Sequence, residues 1–260
     1  MVIENRPGAG GIVAATAVTS AEPDGYTLFV FSSGIALSKS LLKSMPFDPV
    51  SAFAPISTMA LFDLLLLVKA DSPMQTLKDV LAAAGADPKS FNVGTINPGS
   101  TQNVTGELLR ATAGIPMTVV PHRTSAEVLT SLLRGDTQLG IETYAALKAP
   151  IDARQIRAVA SSGSKRSPQQ PEAPTLRESG IDAAVDGWNS LVAPAGTPRD
   201  VVTFLNGHVR AIIGDPDFQK RMIELGGEPA SSSPEELDAR LKSDIEVWAA
   251  VVKKAGLAPN

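Results

Sequence analysis

Short apolar runs alternate with segments of helical periodicity through most of this 260-residue chain. This alternation is typical of β–α–β units, in which each strand is followed by a helix that crosses back over the sheet. Most of the runs are apolar on both faces, which predicts a mostly parallel sheet covered by helices on both sides. The predicted strands are 2–4, 26–31, 64–69, 91–94, 117–121, 138–142, 157–160 and 190–194.

Capping residues mark where several of the predicted helices begin and end. Thr124 and Glu127 have the spacing of a capping box, and Gly135 is placed to end the helix that follows them. Ser233 and Glu236 repeat the capping-box spacing before the last apolar-periodic segment. Two more helices are predicted to begin at the Thr-Pro pair 197–198 and the Asp-Pro pair 215–216.

The arrangement of these elements predicts two α/β lobes. The middle of the chain alternates between strands and helices, whereas the final third is mainly helical, so we expect the closing helices to pack on the first lobe. Residues 162–187 are polar and rich in proline, which predicts a long surface connection containing a single helical turn.

Composition excludes several classes of function. The formal net charge of −4 argues against nucleic acid as a partner, because a basic surface drives phosphate binding. The chain has no cysteine, so disulfides, thiolate metal sites and cysteine nucleophiles are excluded. No apolar run reaches the roughly 18 residues of a membrane span, and no signal-peptide pattern is visible in the sequence as given.

Gly8, Gly10 and Gly11 follow the first predicted strand, at a place where phosphate-binding loops occur. A P-loop ends in Gly-Lys-Ser/Thr, but the first lysine of the chain is Lys39. A dinucleotide-binding loop needs a third glycine at the position held by Val13. We therefore interpret these glycines as a tight turn that lets a helix pack close to a strand.

Two strand-to-helix junctions carry hydroxyl groups at the start of the helix. Free backbone N–H groups and the positive end of a helix bind anions without needing a lysine. Ordinary helix capping explains the same residues equally well, so both interpretations stay open. The first junction holds Gly99, Ser100, Thr101 and Gln102, and the second holds His122, Arg123, Thr124 and Ser125. Both would open at the carboxyl edge of one sheet, where ligands bind in open α/β sheets.

No catalytic constellation accompanies these junctions. His122 and His208 are the only histidines, and neither belongs to a serine–histidine triad pattern, a metal-ligand spacing or a Gly-x-Ser-x-Gly elbow. Glu142 ends one predicted strand and Asp63 precedes another, but the sequence does not pair them as acid and base. The pattern favours a binding pocket without a catalytic residue, metal or cofactor.

Many short motifs occur in a fixed order along the whole chain and resemble one known family. They are ENRPGAGG at 4–11, PDGYTL at 23–28, FDPVSAFAPIS at 47–57, LLRGDTQLGIE at 132–142, PEAPTLRESGI at 171–181, LVAPAGTP at 191–198 and GGEPASSSPEEL at 226–237. Together they are similar to the Bug (TctC-like) family, the periplasmic solute-binding receptors of tripartite tricarboxylate transporters.

The resemblance implies a type II periplasmic-binding-protein fold, with two α/β lobes and a ligand cleft between them. It places 1–62 and 190–260 in lobe 1, which is incomplete at its N-terminus, and 63–189 in lobe 2. It implies capture of a small carboxylate, held mainly by backbone amides, hydroxyls and bridging waters. The matching positions are Ser32, Ser33 and Gly34 in lobe 1, and both hydroxyl-bearing junctions with Glu142 in lobe 2.

The sequence departs from the family pattern at two kinds of position. The family commonly has Pro-Tyr-Lys-Gly-Ser where this chain has 121–125, and an aspartate where it has Glu142, which puts the ligand identity in question. Family members also carry a signal peptide, a first strand and a glycine-rich loop ahead of ENRPGAGG. The resemblance thus implies a periplasmic, monomeric receptor that delivers its ligand to membrane transporter subunits, in a chain that lacks this front segment.

Two alternatives remain open on the sequence alone. One is an α/β enzyme acting on a carboxylate, with His122 and Glu142 within hydrogen-bond reach as acid and base. The other is a shortened chain that is non-functional or serves as a sensory binding module.

Overall fold

The computed structural model describes residues 2–6 and 11–257. Within these residues the strands are β1 (Phe29–Ser32), β2 (Phe53–Asp63), β3 (Leu65–Lys69), β4 (Asn92–Ile96), β5 (Thr118–His122), β6 (Leu139–Glu142), β7 (Ile156–Ser161), β8 (Asp186–Pro194) and β9 (Glu228–Pro229). The helices are α1 (Ile12–Thr19), α2 (Ser33–Leu41), α3 (Leu77–Ala86), α4 (Thr101–Ala113), α5 (Ser125–Arg134), α6 (Tyr144–Asp152), α7 (Arg199–Gly214), α8 (Pro216–Glu224) and α9 (Pro234–Lys254).

The described residues divide into two compact units. Unit 1 takes in the described part of Met1–Leu61 together with Gly187–Ala250, and unit 2 takes in Phe62–Asp186 and Val251–Leu257. The family resemblance implies that 190–260 lies in one lobe, whereas the structure groups Val251–Leu257 with unit 2. The difference arises because the end of α9 packs with unit 2 residues. Lys254 Nζ, for example, donates to the carbonyl of Asp182 at 3.1 Å.

Unit 2 is built on a five-stranded sheet with the order β5-β4-β6-β3-β7. Strand β3 lies inside the sheet, and the run from Leu64 to Val68 is at most 1% exposed on either face. Its side chains join a core cluster that includes Leu132 of α5 and Ile151 of α6. A run of leucines suits this position because helices cover both faces of the sheet and leave no polar side.

The prediction of a mostly parallel sheet holds for four of the five strands of unit 2 and fails at β3; it is wrong for the described pairings of unit 1, which are antiparallel. Strand β4 is parallel to β5 and β6, but β3 is antiparallel to both β6 and β7. Strand β3 follows β2 directly, with only Leu64 between them, so no crossover helix sets its direction. A strand buried on both faces has the same apolar pattern whichever way it runs, so the sequence did not reveal its direction.

Unit 1 holds a four-stranded sheet with the order β1-β8-β2-β9. Strand β1 runs antiparallel to β8, and β2 runs antiparallel to β9. Aromatic rings fill the core beside this sheet: Phe31 stacks on Trp188 with 5.8 Å between ring centroids, and it meets Phe53 edge-on at 5.6 Å. Such contacts add to the stabilisation that comes from burying the rings.

The structure corrects two predictions in the first quarter of the chain. Residues 2–6 form no strand, and Val2 and Ile3 are 93% and 79% exposed, because β-propensity yields no strand without a partner strand. Of the three glycines predicted to make a tight turn, Gly8 and Gly10 lie outside the described residues, and Gly11 precedes α1 with φ +95°.

Strand β2, eleven residues long, was not predicted from the sequence. Its sequence, FAPISTMALFD, contains a proline and two adjacent hydroxyl residues. These interrupt the apolar alternation by which strands are recognised. Pairing within the sheet of unit 1 overrides that weak local signal.

The connection 162–187 lies at the surface, as predicted, but it also buries several of its side chains. Leu176 and Ile181 are 1% and 6% exposed, and the Ser162 hydroxyl donates to the carbonyl of Val185 at 2.7 Å. The segment forms the predicted helical turn at 175–179, where the N–H of Ser179 donates to the carbonyl of Thr175 at 3.0 Å, and β8 begins at Asp186, four residues earlier than predicted. Apolar residues spaced among prolines supply its buried contacts, a pattern that periodicity does not detect.

The predicted helix boundaries agree well with the structure. The Ser233 hydroxyl accepts from the N–H of Glu236 at 3.1 Å, and the Glu236 carboxylate accepts from the N–H of Ser233 at 2.7 Å, which completes the capping box of α9. Asp215 caps α8, and Gly135 ends α5 with φ +83°. None of the helices in the described part of the chain is long and apolar enough to span a membrane.

Candidate functional site

Three parallel strands of unit 2 each lead into a helix at the same edge of the sheet. Strand β4 leads into α4, β5 into α5 and β6 into α6, through connections of at most four residues. The first N–H groups of a helix have no acceptor within the helix, and the helix dipole makes that end positive. Three helix starts at one edge therefore offer a setting suited to an anion.

The junction between β4 and α4 is held by Ser100. Its hydroxyl donates to the carbonyl of Ile96 at 3.1 Å and accepts from the N–H of Asn103 at 3.1 Å. Gly99 has φ +77°, a conformation that side chains rarely adopt, and its N–H donates to the Asn103 side chain. These two residues shape the turn, and the buried residues Thr101 and Gln102 follow at the start of the helix.

Glu142, the last residue of β6, joins the three junctions. Glu142 is buried, with only 1% of its surface exposed. Gln102 Nε2 donates to both carboxylate oxygens, at 3.0 and 3.1 Å, and the Ser125 hydroxyl donates to Oε1 at 3.1 Å. The N–H of Thr143 donates to Oε2 at 3.0 Å. Each carboxylate oxygen thus accepts two hydrogen bonds, and the donors come from the starts of all three helices.

Burial raises the pKa of Glu142 above its usual range, because removal from water disfavours the charged form. Hydrogen bonds from Gln102, the Thr143 N–H and Ser125 oppose that shift, because each of them stabilises the carboxylate. The Gln102 amide is itself oriented, since its Oε1 accepts from the Thr101 hydroxyl at 2.9 Å. Thr101, Gln102, Glu142 and Ser125 form one continuous hydrogen-bonded chain.

The residues between β5 and α5 have different roles. The Thr124 hydroxyl accepts from the N–H of Glu127 at 3.2 Å, so Thr124 caps α5 as its sequence predicted. In a regular capping box the Glu127 carboxylate would accept from the N–H of Thr124. Here it accepts from the N–H of Arg123 instead, at 2.9 Å. Arg123 and Thr124 are exposed, whereas Ser125 is partly buried against Glu142.

His122 turns back over the sheet toward Gly94. A β-carbon built on Gly94 would lie 3.5 Å from His122 Nε2 and 3.2 Å from the Thr137 hydroxyl, so the absence of a side chain there makes room for both. His122 Nε2 is buried without a hydrogen-bond partner, while Gln102, Ser125 and Thr143 supply the hydrogen bonds to Glu142. The acid–base pairing expected of an enzyme is therefore not formed through this nitrogen.

The three positions predicted in unit 1 lie at the start of α2. Ser32 ends β1 opposite Asn189 of β8 and precedes the helix without a side-chain capping bond. Ser33 is fully buried, and its hydroxyl accepts from the N–H of Trp188 at 3.4 Å. Gly34 follows in the first turn, where its carbonyl accepts from the Ser38 hydroxyl at 2.9 Å.

Sequence reasoning missed Thr143 as a contributor to the Glu142 network. Thr143 supplies the N–H that binds Glu142, and its hydroxyl accepts from the N–H of Ala146 at 3.3 Å to cap α6. The signal was present in the sequence, because a strand followed by threonine and a helix repeats the pattern of the other two junctions. No group of three or more His, Cys, Asp or Glu side chains that could hold a metal ion occurs among residues 2–6 and 11–257.

Asp63, the other carboxylate singled out from the sequence, has different partners. Its Oδ1 accepts from the buried Ser167 hydroxyl at 3.0 Å, while Oδ2 is buried without a hydrogen-bond partner. Burial raises the pKa of Asp63, with the Ser167 bond opposing the shift and the charge of Asp186 adding to it. An ionised carboxylate with a bare buried oxygen destabilises the fold.

We expect Asp63→Asn to stabilise the protein by about 1 kcal/mol at neutral pH, because the amide keeps the acceptor for Ser167 and removes the buried charge. A carboxyl whose folded-state pKa is raised stabilises the fold below its unfolded pKa and loses that contribution as the pH rises through the folded value. The advantage of the variant should therefore shrink as the pH is lowered from about 8 to about 5. Thermal unfolding at both pH values measures this, and an equal difference at the two would contradict it.

The two mixed α/β units have the architecture of type II periplasmic-binding proteins, and solved structures of that class match nearly the whole chain. The chain belongs to the tripartite tricarboxylate transporter family receptors, whose family model matches residues 1–257. This family and these structural neighbours are binding receptors rather than enzymes.

Two curated relatives illustrate the relationship. A UPF0065 protein in the tcbD-tcbE intergenic region of Pseudomonas sp. (strain P51) is 30% identical over 265 residues, covering 100% of this chain and 78% of the relative. Protein BugT of Bordetella pertussis is 27% identical over 259 residues, covering 98% of this chain and 79% of the relative.

Among solved structures, R. palustris Rpa4515 with adipate has a TM-score of 0.91 and 33% identity, covering 100% of this chain and 87% of that one. The periplasmic binding protein BugD has a TM-score of 0.88 and 29% identity, covering 100% and 88%. MatC from Rhodopseudomonas palustris with bound malate has a TM-score of 0.81 and 28% identity, covering 94% and 85%.

Proposed function

We propose that this protein is an extracytoplasmic receptor that captures a small carboxylate and delivers it, as a periplasmic monomer, to the membrane subunits of a tripartite tricarboxylate-type transporter. One observation carries the proposal: three helix starts surround one buried hydrogen-bond network at a single sheet edge of unit 2. The membership of the chain in a receptor family supports the same conclusion.

The proposed contacts are mainly backbone N–H groups and hydroxyls rather than an arginine-rich set of side chains. The starts of α4, α5 and α6 supply N–H groups with the favourable end of each helix dipole. Preorganised donors of this kind bind a carboxylate strongly because charge-assisted hydrogen bonds exceed neutral ones. The proposed binding residues of unit 2 are Gly99, Ser100, Thr101, Gln102, His122, Arg123, Thr124, Ser125 and Glu142. Those of unit 1 are Ser32, Ser33 and Gly34.

The ligand we propose is a small dicarboxylate. Two structural neighbours with 33% and 28% identity were determined with adipate and with malate, respectively. Both are short, flexible anions with a carboxylate at each end. A site that binds through N–H groups at helix starts suits such an anion better than a neutral or cationic compound.

A thermal-shift and calorimetric screen tests this proposal. The panel contains adipate, malate, a monocarboxylate, a tricarboxylate and the neutral diamide of adipic acid. We expect at least one dicarboxylate to raise the unfolding temperature and the diamide to have no effect, because ligands that bind only the folded state stabilise it. If every carboxylate fails to bind, the receptor function is wrong.

A matched pair of charge substitutions on α5 locates the binding site. Ala126 lies exposed in the first turn, and Thr130 lies exposed one turn later. We expect Ala126→Asp to weaken dicarboxylate binding at least about tenfold, because the new carboxylate competes for the positive helix end while remaining compatible with the helix. Thr130→Asp is the control and should leave affinity close to that of the unmodified protein. Equal effects of the two substitutions would contradict the proposed location.

A further inference from the structure

The Glu142 carboxylate is surrounded entirely by hydrogen-bond donors. Gln102 contributes to both of its oxygens, Ser125 to Oε1 and Thr143 to Oε2. No cationic side chain is among these partners, so hydrogen bonds alone compensate the charge of a residue that is only 1% exposed. An anion bound nearby would therefore meet a negative charge that no cationic side chain neutralises.

The ionisable side chains on the elements that pack around β6 lie outside this network. They are Lys69 on β3, Glu107 and Arg110 on α4, His122 on β5, Glu127 and Arg134 on α5, and Tyr144, Lys148 and Asp152 on α6. Several are engaged elsewhere: Glu107 pairs with Arg110, and Lys148 and Tyr144 both bind Asp152. Burial raises the pKa of Glu142, its three hydrogen-bonding partners oppose that rise, and no charged residue contributes.

Only one of the three groups that donate to Glu142 can reverse its direction. The amide nitrogen of Gln102 is a donor only, and its orientation is held by the hydroxyl of Thr101. The N–H of Thr143 belongs to the backbone and is likewise a donor only. The Ser125 hydroxyl, by contrast, can either donate to Glu142 or accept from it, since a hydroxyl has both a proton and lone pairs. Ser125 is also the first residue of α5, at the proposed anion-binding edge.

We propose that capture of a carboxylate ligand is coupled to protonation of Glu142, with Ser125 as the relay. This inference rests on the proposed function. One proton from solvent binds Oε1 of Glu142, and the resulting O–H donates to Oγ of Ser125. The Ser125 proton then turns away from Glu142 and donates to the ligand carboxylate. The net change is the binding of one ligand anion together with one proton, and no covalent bond other than the O–H bond of Glu142 is formed.

This coupling makes Glu142 a specificity-determining residue. With Glu142 ionised, the Ser125 oxygen presents only lone pairs and disfavours a carboxylate. With Glu142 protonated, the same oxygen offers a donor and the buried negative charge has gone. The site therefore favours anions most strongly when it can also take up a proton, and linkage requires that ligand binding in turn raise the proton affinity of Glu142.

Titration calorimetry with adipate or malate tests the coupling. Measurements at about pH 6.5 in two buffers of different ionisation enthalpy count the protons taken up, and a second pair at about pH 8 gives the pH dependence. We expect uptake of up to one proton per ligand and an affinity that falls up to about tenfold per pH unit as the pH rises. Because proton uptake is counted on the wild-type protein, this test does not depend on the folding of any variant.

Two substitutions assign the proton to Glu142. In Glu142→Gln the amide oxygen still accepts and the amide nitrogen donates to Ser125, so this variant imitates the protonated residue and should bind with no proton uptake and a flat pH profile. Asp136→Asn removes an exposed carboxylate just before β6 and should keep the wild-type profile. If the wild-type protein binds a carboxylate without proton uptake, the coupling is wrong and the receptor function stands. The same conclusion follows if wild type and Glu142→Gln have identical pH profiles of affinity. Failure of every carboxylate to bind overturns both.

Discussion

Trp188→Ala should destabilise unit 1 by about 3–5 kcal/mol, a large fraction of the stability of an ordinary domain. Trp188 is 1% exposed on β8, and its ring stacks on Phe31 at 5.8 Å with an interplanar angle of 5°. Its indole N–H donates to Asp244 of α9. Truncation leaves a cavity in the aromatic core and breaks the bond between β8 and α9, so transfer, packing and hydrogen-bond terms all act in one direction.

Denaturant unfolding followed by far-UV circular dichroism and by fluorescence measures this effect. The chain contains two tryptophans, so in the variant Trp248, buried in unit 1, is the sole tryptophan and reports the fluorescence excited at its own wavelength. Phe204→Ala is the control, because Phe204 is an aromatic residue of α7 that is 65% exposed and its loss should change stability by less than about 0.5 kcal/mol. Similar losses in the two variants would show that Trp188 has no special place in the core.

Arg157→Met should destabilise unit 2 by about 2–3 kcal/mol. Arg157 lies on β7 opposite Val68 of β3. Its guanidinium forms hydrogen bonds with the loop between β3 and α3. Nη1 donates to the carbonyl of Ala70 at 3.1 Å, and Nη2 donates to those of Ser72 and Met74 at 2.9 and 2.6 Å. Hydrogen bonds from a charged donor are the stronger kind, but the loop carbonyls regain some water in the variant, which limits the total.

The same loop provides a local readout. Amide hydrogen exchange at residues 70–76 should accelerate in Arg157→Met, because the loop loses the side chain that holds three of its carbonyls. Arg134→Met removes an exposed arginine at the end of α5 and should change neither stability nor exchange in this loop. Unaltered exchange in Arg157→Met would mean that the loop is held by its backbone alone.

The local features of the fold were the predictable ones. The capping residues Thr124, Ser233 and Asp215 and the terminating Gly135 act over three or four residues, so their meaning is contained in the sequence around them. The buried strand β3 was equally recognisable from its unbroken apolar run. Strand β2 was not, because its proline and hydroxyl residues hide a strand that only its neighbours stabilise.

Some features of the candidate site were also predictable from the sequence, whereas others were not. The sequence indicated that the two strand-to-helix junctions lie together, since parallel strands end at a common edge, and the family resemblance added Glu142 to them. It did not reveal that Ser100 is occupied in shaping its own turn, that His122 folds back toward Gly94, or that Thr143 completes the set of donors. These features depend on how the folded chain brings side chains and backbone groups together in space.

The sequence by itself determined the α/β class, the starts of α5, α7, α8 and α9, the family and the region of unit 2 that we propose binds the ligand, because each is expressed in short-range patterns and ordered motifs. Only the tertiary structure decided the direction of β3, the burial of Glu142 and the identity of its hydrogen-bond donors. The physical reason is that strand pairing, desolvation and side-chain hydrogen bonds arise between segments that are distant in sequence. A carboxylate at position 142 is evident from the sequence, but its environment exists only in the folded chain.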